Sequence, residues 1–291
     1  MINYNPKSWV KLIFHLTKSD TLSILWKELL FIFIFSLGVA FIEITYFPDA
    51  KVLDKLFSVY QILGFVISLL LVFRTNTAYD RWWEGRRKWG ELVNDSRNLA
   101  VKITALDLPY EENVFFARHI GNYALCIKEH LRNGTDFEIL DITEEEFTFL
   151  QKVDHIPSGI VELLYQRMNE LKKKGLLSEE DILRLDRNLN GFLDVVGACE
   201  RIKNTPIPYS YSMFFKKFIF VYVITLPLAF VINFGFFSAI IATFIFYVFV
   251  SIEVLAEEIE DPFGTDDNDL PTDEMAQRIQ GIVKTILARK Q

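Results

Sequence analysis

The chain has 291 residues, of which 51% are hydrophobic and 24% charged, and its net charge is −7. This mixture is typical of a protein that lies partly in lipid and partly in water. The acidic balance argues against nucleic acid as a partner. Two cysteines are too few for a disulfide framework, so we expect Cys126 and Cys199 to be reduced and buried.

Two apolar segments lie near the N-terminus, after a predicted cytosolic helix over residues 1–28. The first, Leu29–Phe47, contains one acid near its far end, and the second, Leu56–Phe73, contains no charged residue. Both are long enough to cross a bilayer as helices, which makes residues 29–73 the first membrane hairpin. No small-residue cleavage site separates the two segments, so we expect a membrane helix rather than a cleaved signal peptide.

Residues 74–217 form a long hydrophilic segment that we predict to be helical throughout. Helix formers continue past the second span, and later helices are marked by N-terminal caps and by Gly or Pro stops. No alternating strand pattern is present. The predicted helices are Tyr79–Leu106, Glu111–Arg132, one opened by the capping box Thr143–Glu146, Gly159–Lys174, and one from Ser178 to about Lys203.

Residues 218–252 contain no charged residue. One straight helix of this length would measure about 52 Å, well beyond a hydrocarbon core of about 30 Å. A turn at Asn233–Gly235 therefore divides the run into a second membrane hairpin. Basic residues crowd the ends of the spans next to residues 74–217, so the positive-inside rule places that segment and both termini in the cytoplasm.

The C-terminal segment, residues 253–291, begins with ten acids and no lysine or arginine between Glu253 and Glu274. Such a stretch suits a cation, a metal or a basic partner. Thr272 is expected to cap an amphipathic helix that packs on the protein's own helices, with membrane-surface or partner binding as the alternative. Its apolar stripe is Met275, Ile279, Ile282, Ile286 and Leu287.

The second span contains three large apolar residues at helical spacing. Phe65, Leu69 and Phe73 are spaced i, i+4, i+8 and so share one face of a helix. If identical helices surrounded an axis, that face would form stacked hydrophobic rings that could gate a pore by dewetting. Taken alone, three apolar residues in an apolar span are ordinary packing or lipid-facing residues.

Three motifs resemble the bestrophins, particularly their bacterial homologues, and the resemblance covers nearly the whole chain. The motifs occur in the family's order and spacing: Phe73-Arg-x-Asn76-x-x-Tyr79-Asp-Arg-Trp-Trp83, Cys199-Glu-Arg-Ile-x-Asn-Thr-Pro-Ile-Pro208 and Glu257-Glu-Ile-Glu-Asp-Pro-Phe-Gly264. The resemblance implies an all-α membrane protein with four transmembrane helices and a helical cytosolic region per subunit. It also implies a homopentamer around one axial pore, whose hydrophobic neck would fall on Phe65, Leu69 and Phe73.

The family's second aperture maps near the start of the helix that precedes the Thr-Pro-Ile-Pro element. Counting back from Pro208 gives Glu180, and a slip of one or two residues gives Asp181 or Ile182. Rings of acids would favour cations, whereas a ring of isoleucines would be a neutral sieve. The alternative is that the acids are helix N-terminal charges that face water.

The stretch from Gly264 to Asp269 corresponds to the calcium clasp of animal bestrophins. Asp266 and Asp269 fall on its two side-chain ligand positions, and oxygen ligands suit Ca²⁺. Thr265 and Asn268, however, stand where the animal proteins have acids. No cofactor is required by this interpretation, and a solvated turn without metal is the alternative.

The resulting prediction is a pentameric channel in the cell (inner) membrane that conducts small monovalent ions, with cations favoured because of Glu180 and Asp181. The partners are further copies of the chain, the lipid bilayer and small inorganic ions. An anion channel, for chloride or another anion, is the alternative within the fold, and the arginines from Arg74 to Arg87 would support it if they faced the axis.

Two other classes of protein are considered as alternatives: a membrane-embedded metal-dependent enzyme and a non-conducting scaffold. No nucleophile–base pair accompanies the acids, which argues against an enzyme. The four histidines show no metal-ligand spacing in sequence and are interpreted as structural: His15, His119, His130 and His155.

Overall fold

A computed structural model describes residues 20–47, 51–132, 134 and 136–288. The regular structure of these ranges is helical, with one short 3-10 turn at Phe137–Ile139. The helices are α1 Thr21–Tyr46, α2 Lys51–Thr104, α3 Tyr110–His130, α4 Glu144–Leu150, α5 Ile156–Lys173, α6 Glu179–Asn204, α7 Tyr209–Phe234, α8 Phe237–Glu260 and α9 Thr272–Leu287.

The chain divides into two compact units. Of the described residues, the first unit comprises 20–47, 51–81, 206–260 and 266–268, and the second comprises 82–132, 134, 136–205, 261–265 and 269–288. Helix α2 contributes its N-terminal half to the first unit and its C-terminal half to the second, which agrees with the predicted continuation of the second span. Each unit has its own apolar core.

Four helices in the described ranges are long and apolar enough to cross a membrane, and the first unit contains α1, the N-terminal part of α2, α7 and α8. Helix α1 begins at Thr21, earlier than the predicted span, because the Asp20 carboxylate accepts a 2.9 Å hydrogen bond from the backbone N–H of Leu22 and caps the helix there. Residues 21–28 of the predicted N-terminal helix therefore belong to α1. The rest of that prediction lies outside the described residues.

The turn between α7 and α8 lies at residues 235–236, slightly later than predicted. Helix α7 continues through Phe234 and stops at Gly235, whose φ of +55° is a left-handed conformation that glycine adopts without steric cost. The uncharged run is thus two helices joined by a tight turn. The prediction that this run forms a hairpin of two apolar helices is confirmed.

In the core of the first unit, α2 and α7 approach each other closely at one position. A Cβ at Gly64 would lie 2.7 Å from the Tyr222 hydroxyl oxygen, so the absence of a side chain lets α7 pack directly on α2. The Tyr222 hydroxyl then donates to the carbonyl of Tyr60 at 3.2 Å. The surrounding buried side chains include Ile32, Ile67, Leu71, Phe215, Leu226 and Phe246.

The second unit is built on local caps and a larger apolar core. The predicted capping box is present, since Thr143 exchanges hydrogen bonds with Glu146, and the predicted N-cap Ser178 forms a second capping box with Asp181. In the core, Tyr123 stacks on Phe192 with ring centroids 4.6 Å apart. Cys126 and Cys199 are buried and reduced, as expected.

Helix α9 packs on α3 within the second unit, so the prediction that it binds the protein's own helices is confirmed. Gly121 makes this contact possible, since a Cβ there would lie 2.9 Å from Cγ of Gln280. The buried stripe is rotated slightly from the predicted one, and Met275, Ile282 and Ile286 are only partly buried. The fully buried apolar positions are Ala276, Ile279, Val283 and Leu287.

Candidate functional site

The predicted neck residues share an exposed face of α2 in the single chain. Phe65 is 70% exposed, Leu69 46% and Phe73 55%, although all three are large apolar side chains. The opposite face is buried in the first unit at Ile67, Leu71, Arg74 and Ala78. At about 100° per residue, the centres of the two faces lie roughly 170° apart around the helix. The face with Phe65, Leu69 and Phe73 therefore points away from the core of the first unit.

A buried ion cluster lies in the first unit, at the end of the apolar part of α2. Arg74 is 1% exposed, and its Nη2 donates a 2.7 Å hydrogen bond to Oε2 of Glu260. Its Nε lies 3.7 Å from Oε2 of Glu253, which is also buried. Burying a guanidinium is costly unless it is paired with an opposite charge. Here two acids of α8 flank one arginine.

Glu260 also connects the three motif segments. Its Oε1 accepts a 2.6 Å hydrogen bond from the backbone N–H of Ile207, and its backbone carbonyl accepts a 3.1 Å bond from Nε of Arg81. Arg74 and Arg81 belong to the first motif, Ile207 to the second and Glu260 to the third. The residues that carry the family resemblance thus meet around one carboxylate.

The other acids near the end of α8 have local partners too. The Glu257 carboxylate lies 2.9 Å from Nζ of Lys216, and Glu258 accepts a 2.7 Å bond from the side-chain amide of Asn268. Together with the Arg74 cluster, these contacts give partners to the acids at the start of the 253–274 stretch, which was expected to attract cations. The same contacts show that Arg74 pairs with neighbouring acids and presents no free positive charge.

Sequence reasoning missed the Arg74 cluster, although a signal was present. Glu253 and Glu260 are seven residues apart and so lie on the same face of α8. An arginine at the end of an apolar span needs an opposite charge nearby if it is buried. The partner could not be identified from sequence because Arg74 and Glu260 are separated by 186 residues.

The three aperture candidates have different environments at the start of α6. Asp181 is held by the Ser178 hydroxyl at 2.6 Å, and Ile182 packs against the core of the second unit. Glu180 is exposed and has no hydrogen-bond or ion-pair partner among the described residues. Its neighbour Glu179 differs, since it accepts a 2.6 Å bond from Lys172. Of the three candidates, only Glu180 offers an unengaged side chain in the described part of the chain.

The two predicted calcium ligands lie in the loop after α8. Asp269 is 2% exposed, and its carboxylate occupies the space beside Gly264, where a Cβ would lie 2.6 Å from Oδ2. Asp266 is exposed. The loop thus offers the oxygen donors that Ca²⁺ prefers. Calcium binding there stays a prediction.

Comparisons with known proteins agree on one family. Residues 1–285 match the family model described as Bacterial/Fungal Bestrophin protein. The chain is 33% identical over 287 residues to the voltage-dependent anion channel-forming protein YneE of Salmonella typhi, which covers 96% of this chain and 92% of that protein. It is 31% identical over 283 residues to YneE of Escherichia coli strain K12, with the same coverage of 96% and 92%.

A solved structure is similar over nearly its whole length. A bacterial bestrophin homolog from Klebsiella pneumoniae superposes with a TM-score of 0.82 at 25% sequence identity, covering 90% of this chain and 98% of that one. The similarity therefore extends across the membrane helices and the helical region between them.

Proposed function

Because this chain belongs to the bacterial and fungal bestrophin family, we propose that it forms a homopentameric channel that conducts small inorganic anions across the cell membrane. The predicted fold class is confirmed: the protein is an all-α membrane protein with four candidate membrane-spanning helices. The prediction that it is not an enzyme is confirmed as well, since its relatives are named as channel-forming proteins. The anion proposal rests on the names of relatives that match this chain over almost its whole length.

The cation preference expected from the acidic residues is not supported by these comparisons, because the relatives are named for anions. A physical reason lies in the side-chain contacts. Asp181 is engaged in capping α6, Glu179 pairs with Lys172, and Glu257 pairs with Lys216. An acid with a fixed positive partner contributes much less to the field along a pore than an unpaired one.

We place the hydrophobic constriction of this pore at Phe65, Leu69 and Phe73. These side chains are exposed on the α2 face opposite the buried stripe, so they are available to an axis shared by several subunits. Three stacked rings of apolar side chains would form a neck that gates by dewetting. Lipid contact is the competing explanation of their exposure.

We further propose that both termini and the segment between the two hairpins face the cytoplasm. The support is the charge bias alone: Lys216 and Lys217 precede α7, and Arg74, Arg81, Arg86 and Arg87 follow the second span. Labelling of single cysteines introduced at residue 2 and in the 235–236 turn, on intact cells, tests this orientation. Labelling of the turn alone is the expected result.

The channel proposal is tested by mass and by ion flux. Purified protein in detergent should have the mass of five copies of the 34.0 kDa chain after correction for bound detergent. Reconstituted liposomes should pass chloride, read with a halide-sensitive dye. A monomer or dimer would contradict the axial pore, and a pentamer without flux would favour a non-conducting scaffold.

A further inference from the structure

Two histidines and one glutamate converge in the second unit, although they are far apart in sequence. His130 ends α3, His155 caps the start of α5, and Glu200 lies near the end of α6. Oε1 of Glu200 lies 2.6 Å from Nε2 of His130 and 3.0 Å from Nε2 of His155. We propose that these three side chains bind a divalent transition-metal ion of the Zn²⁺ class.

The donor set decides the class of metal. Imidazole nitrogen suits Zn²⁺, Co²⁺, Ni²⁺ or Cu²⁺, whereas Ca²⁺ and Mg²⁺ prefer oxygen alone. Two histidines and one carboxylate leave a fourth tetrahedral position for water. In the described part of the chain, this is the group of histidine, cysteine or acidic side chains whose possible ligand atoms all lie within 4.8 Å of one another.

The spacing of the ligand atoms is close to that of a bound site. Metal–ligand distances of about 2.0 to 2.1 Å in a tetrahedron place neighbouring ligand atoms about 3.3 to 3.4 Å apart. The two nitrogen–oxygen distances here are 2.6 and 3.0 Å, as expected for hydrogen bonds without metal. Small side-chain rotations that lengthen each of these two distances by a few tenths of an ångström make room for the ion.

Ser158 orients one of the ligands. Nδ1 of His155 lies 2.5 Å from the Ser158 hydroxyl oxygen. When Nδ1 carries the proton and donates to this hydroxyl, Nε2 presents its lone pair to the metal, and the longer 3.3 Å contact from the Ser158 backbone N–H is given up. Ser158 is therefore a positioning residue for the site.

The site is held together by contacts that do not depend on metal. Nζ of Lys203 donates to the backbone carbonyls of Leu131 and Arg132, which joins the ends of α6 and α3. The side chains of His130, His155 and Glu200 are 25%, 33% and 31% exposed, so an ion can reach them from solvent in the single chain. Binding would link the ends of three helices and stabilise the second unit.

Zinc titration of the full-length protein tests the proposal. The protein should carry no polyhistidine tag and should be stripped with EDTA before calorimetry with ZnCl₂ and absorption spectroscopy with CoCl₂. We expect one ion per chain and the visible bands of tetrahedral Co²⁺. Replacing both histidines (His130→Ala with His155→Ala) should abolish binding, and Ser158→Ala should weaken it by about 10-fold.

Two further variants separate ligand loss from misfolding. Glu200→Gln keeps an acceptor oxygen beside both histidines and should still weaken binding by at least about 10-fold. The matched controls are His15→Ala, at a position outside the described residues, and Glu84→Gln, whose carboxylate pairs with Arg201. Both controls should bind like the parent. A parent that binds no zinc, or a Glu200→Gln protein that binds as tightly as the parent, would overturn the proposal.

Discussion

Arg74 and Glu260 form a buried ion pair in the first unit, with Nη2 of the arginine 2.7 Å from Oε2 of the glutamate. The pair joins the end of the apolar part of α2 to the last residue of α8. Because Glu260 also accepts the backbone N–H of Ile207, loss of this carboxylate would release two helices and the linker before α7 together. The pair is therefore expected to stabilise the first unit and to contribute little to the field in a pore.

Replacing one partner of this pair should be strongly destabilising. Arg74→Gln leaves the acids of α8 without their cation, and losing one partner of a buried pair typically costs about 3 to 5 kcal/mol. We expect a large drop in the melting temperature of the detergent-solubilised protein. The matched control is Lys216→Gln, whose pair with Glu257 is exposed and should be worth about 1 kcal/mol or less. Equal effects of the two variants would contradict the structural role of Arg74.

The neck residues should limit conductance and contribute little to stability. The triple variant Phe65→Ala, Leu69→Ala, Phe73→Ala widens the constriction, so single-channel conductance in bilayers should rise while the melting temperature changes little. Ile67→Ala is the matched control on the buried face of the same helix. It should cost about 2 to 5 kcal/mol without raising conductance. If the triple variant conducts like the parent, the constriction lies elsewhere.

The helices and their limits follow largely from local sequence. The apolar runs predicted the spans, Gly235 ends α7, and the capping box at Thr143 and the N-cap at Ser178 begin α4 and α6 as expected. Those signals act over a few residues and can be read without a structure. The start of α1 was placed too late because the hydropathy of the run outweighed the cap at Asp20.

Contacts between distant segments could not be predicted in this way. The Arg74–Glu260 pair and the contact of His130 with Glu200 depend on how helices pack, not on spacing along the chain. For the same reason, sequence spacing alone favours a structural role for the histidines. The shared face of Phe65, Leu69 and Phe73 can be predicted from the sequence, but a single chain cannot show whether this face lines a pore.

The stability of the second unit should depend on pH through Glu146. Burial alone would raise the pKa of this carboxyl, but contacts with His119, the backbone N–H of Thr143 and Arg118 outweigh it and lower the pKa from 4.5 to about 2. A depressed pKa means that the stabilisation is complete above the unfolded value and is lost as the pH falls from 4.5 toward 2. Its size is at most about 3 kcal/mol.

The measurement is thermal unfolding across this acidic range. The parent should lose stability as the pH falls, and Glu146→Gln should start lower and show a flatter dependence. Glu145→Gln, at an exposed acid in the first turn of α4, is the control and should follow the parent. A parent-like slope in Glu146→Gln would show that other acids dominate.

Removal of calcium tests the loop after α8. If Asp266 and Asp269 bind Ca²⁺, an excess of EGTA should lower the melting temperature, because a ligand that binds only the folded protein stabilises it by mass action. Readdition of CaCl₂ should restore the parent value and have no effect on Asp266→Asn with Asp269→Asn. Identical melting curves with and without EGTA would identify the loop as an acidic turn without metal.

We infer that the protein conducts anions, and the reversal potential of the purified protein in a planar bilayer under a KCl gradient decides between anion and cation conduction. We expect a potential near the chloride equilibrium value. Glu180→Gln should then raise chloride conductance, since it removes an unengaged negative charge from the start of α6, while Glu179→Gln should change it less. A reversal potential near the potassium equilibrium value, lost in Glu180→Gln, would contradict the claim and place a cation filter at Glu180.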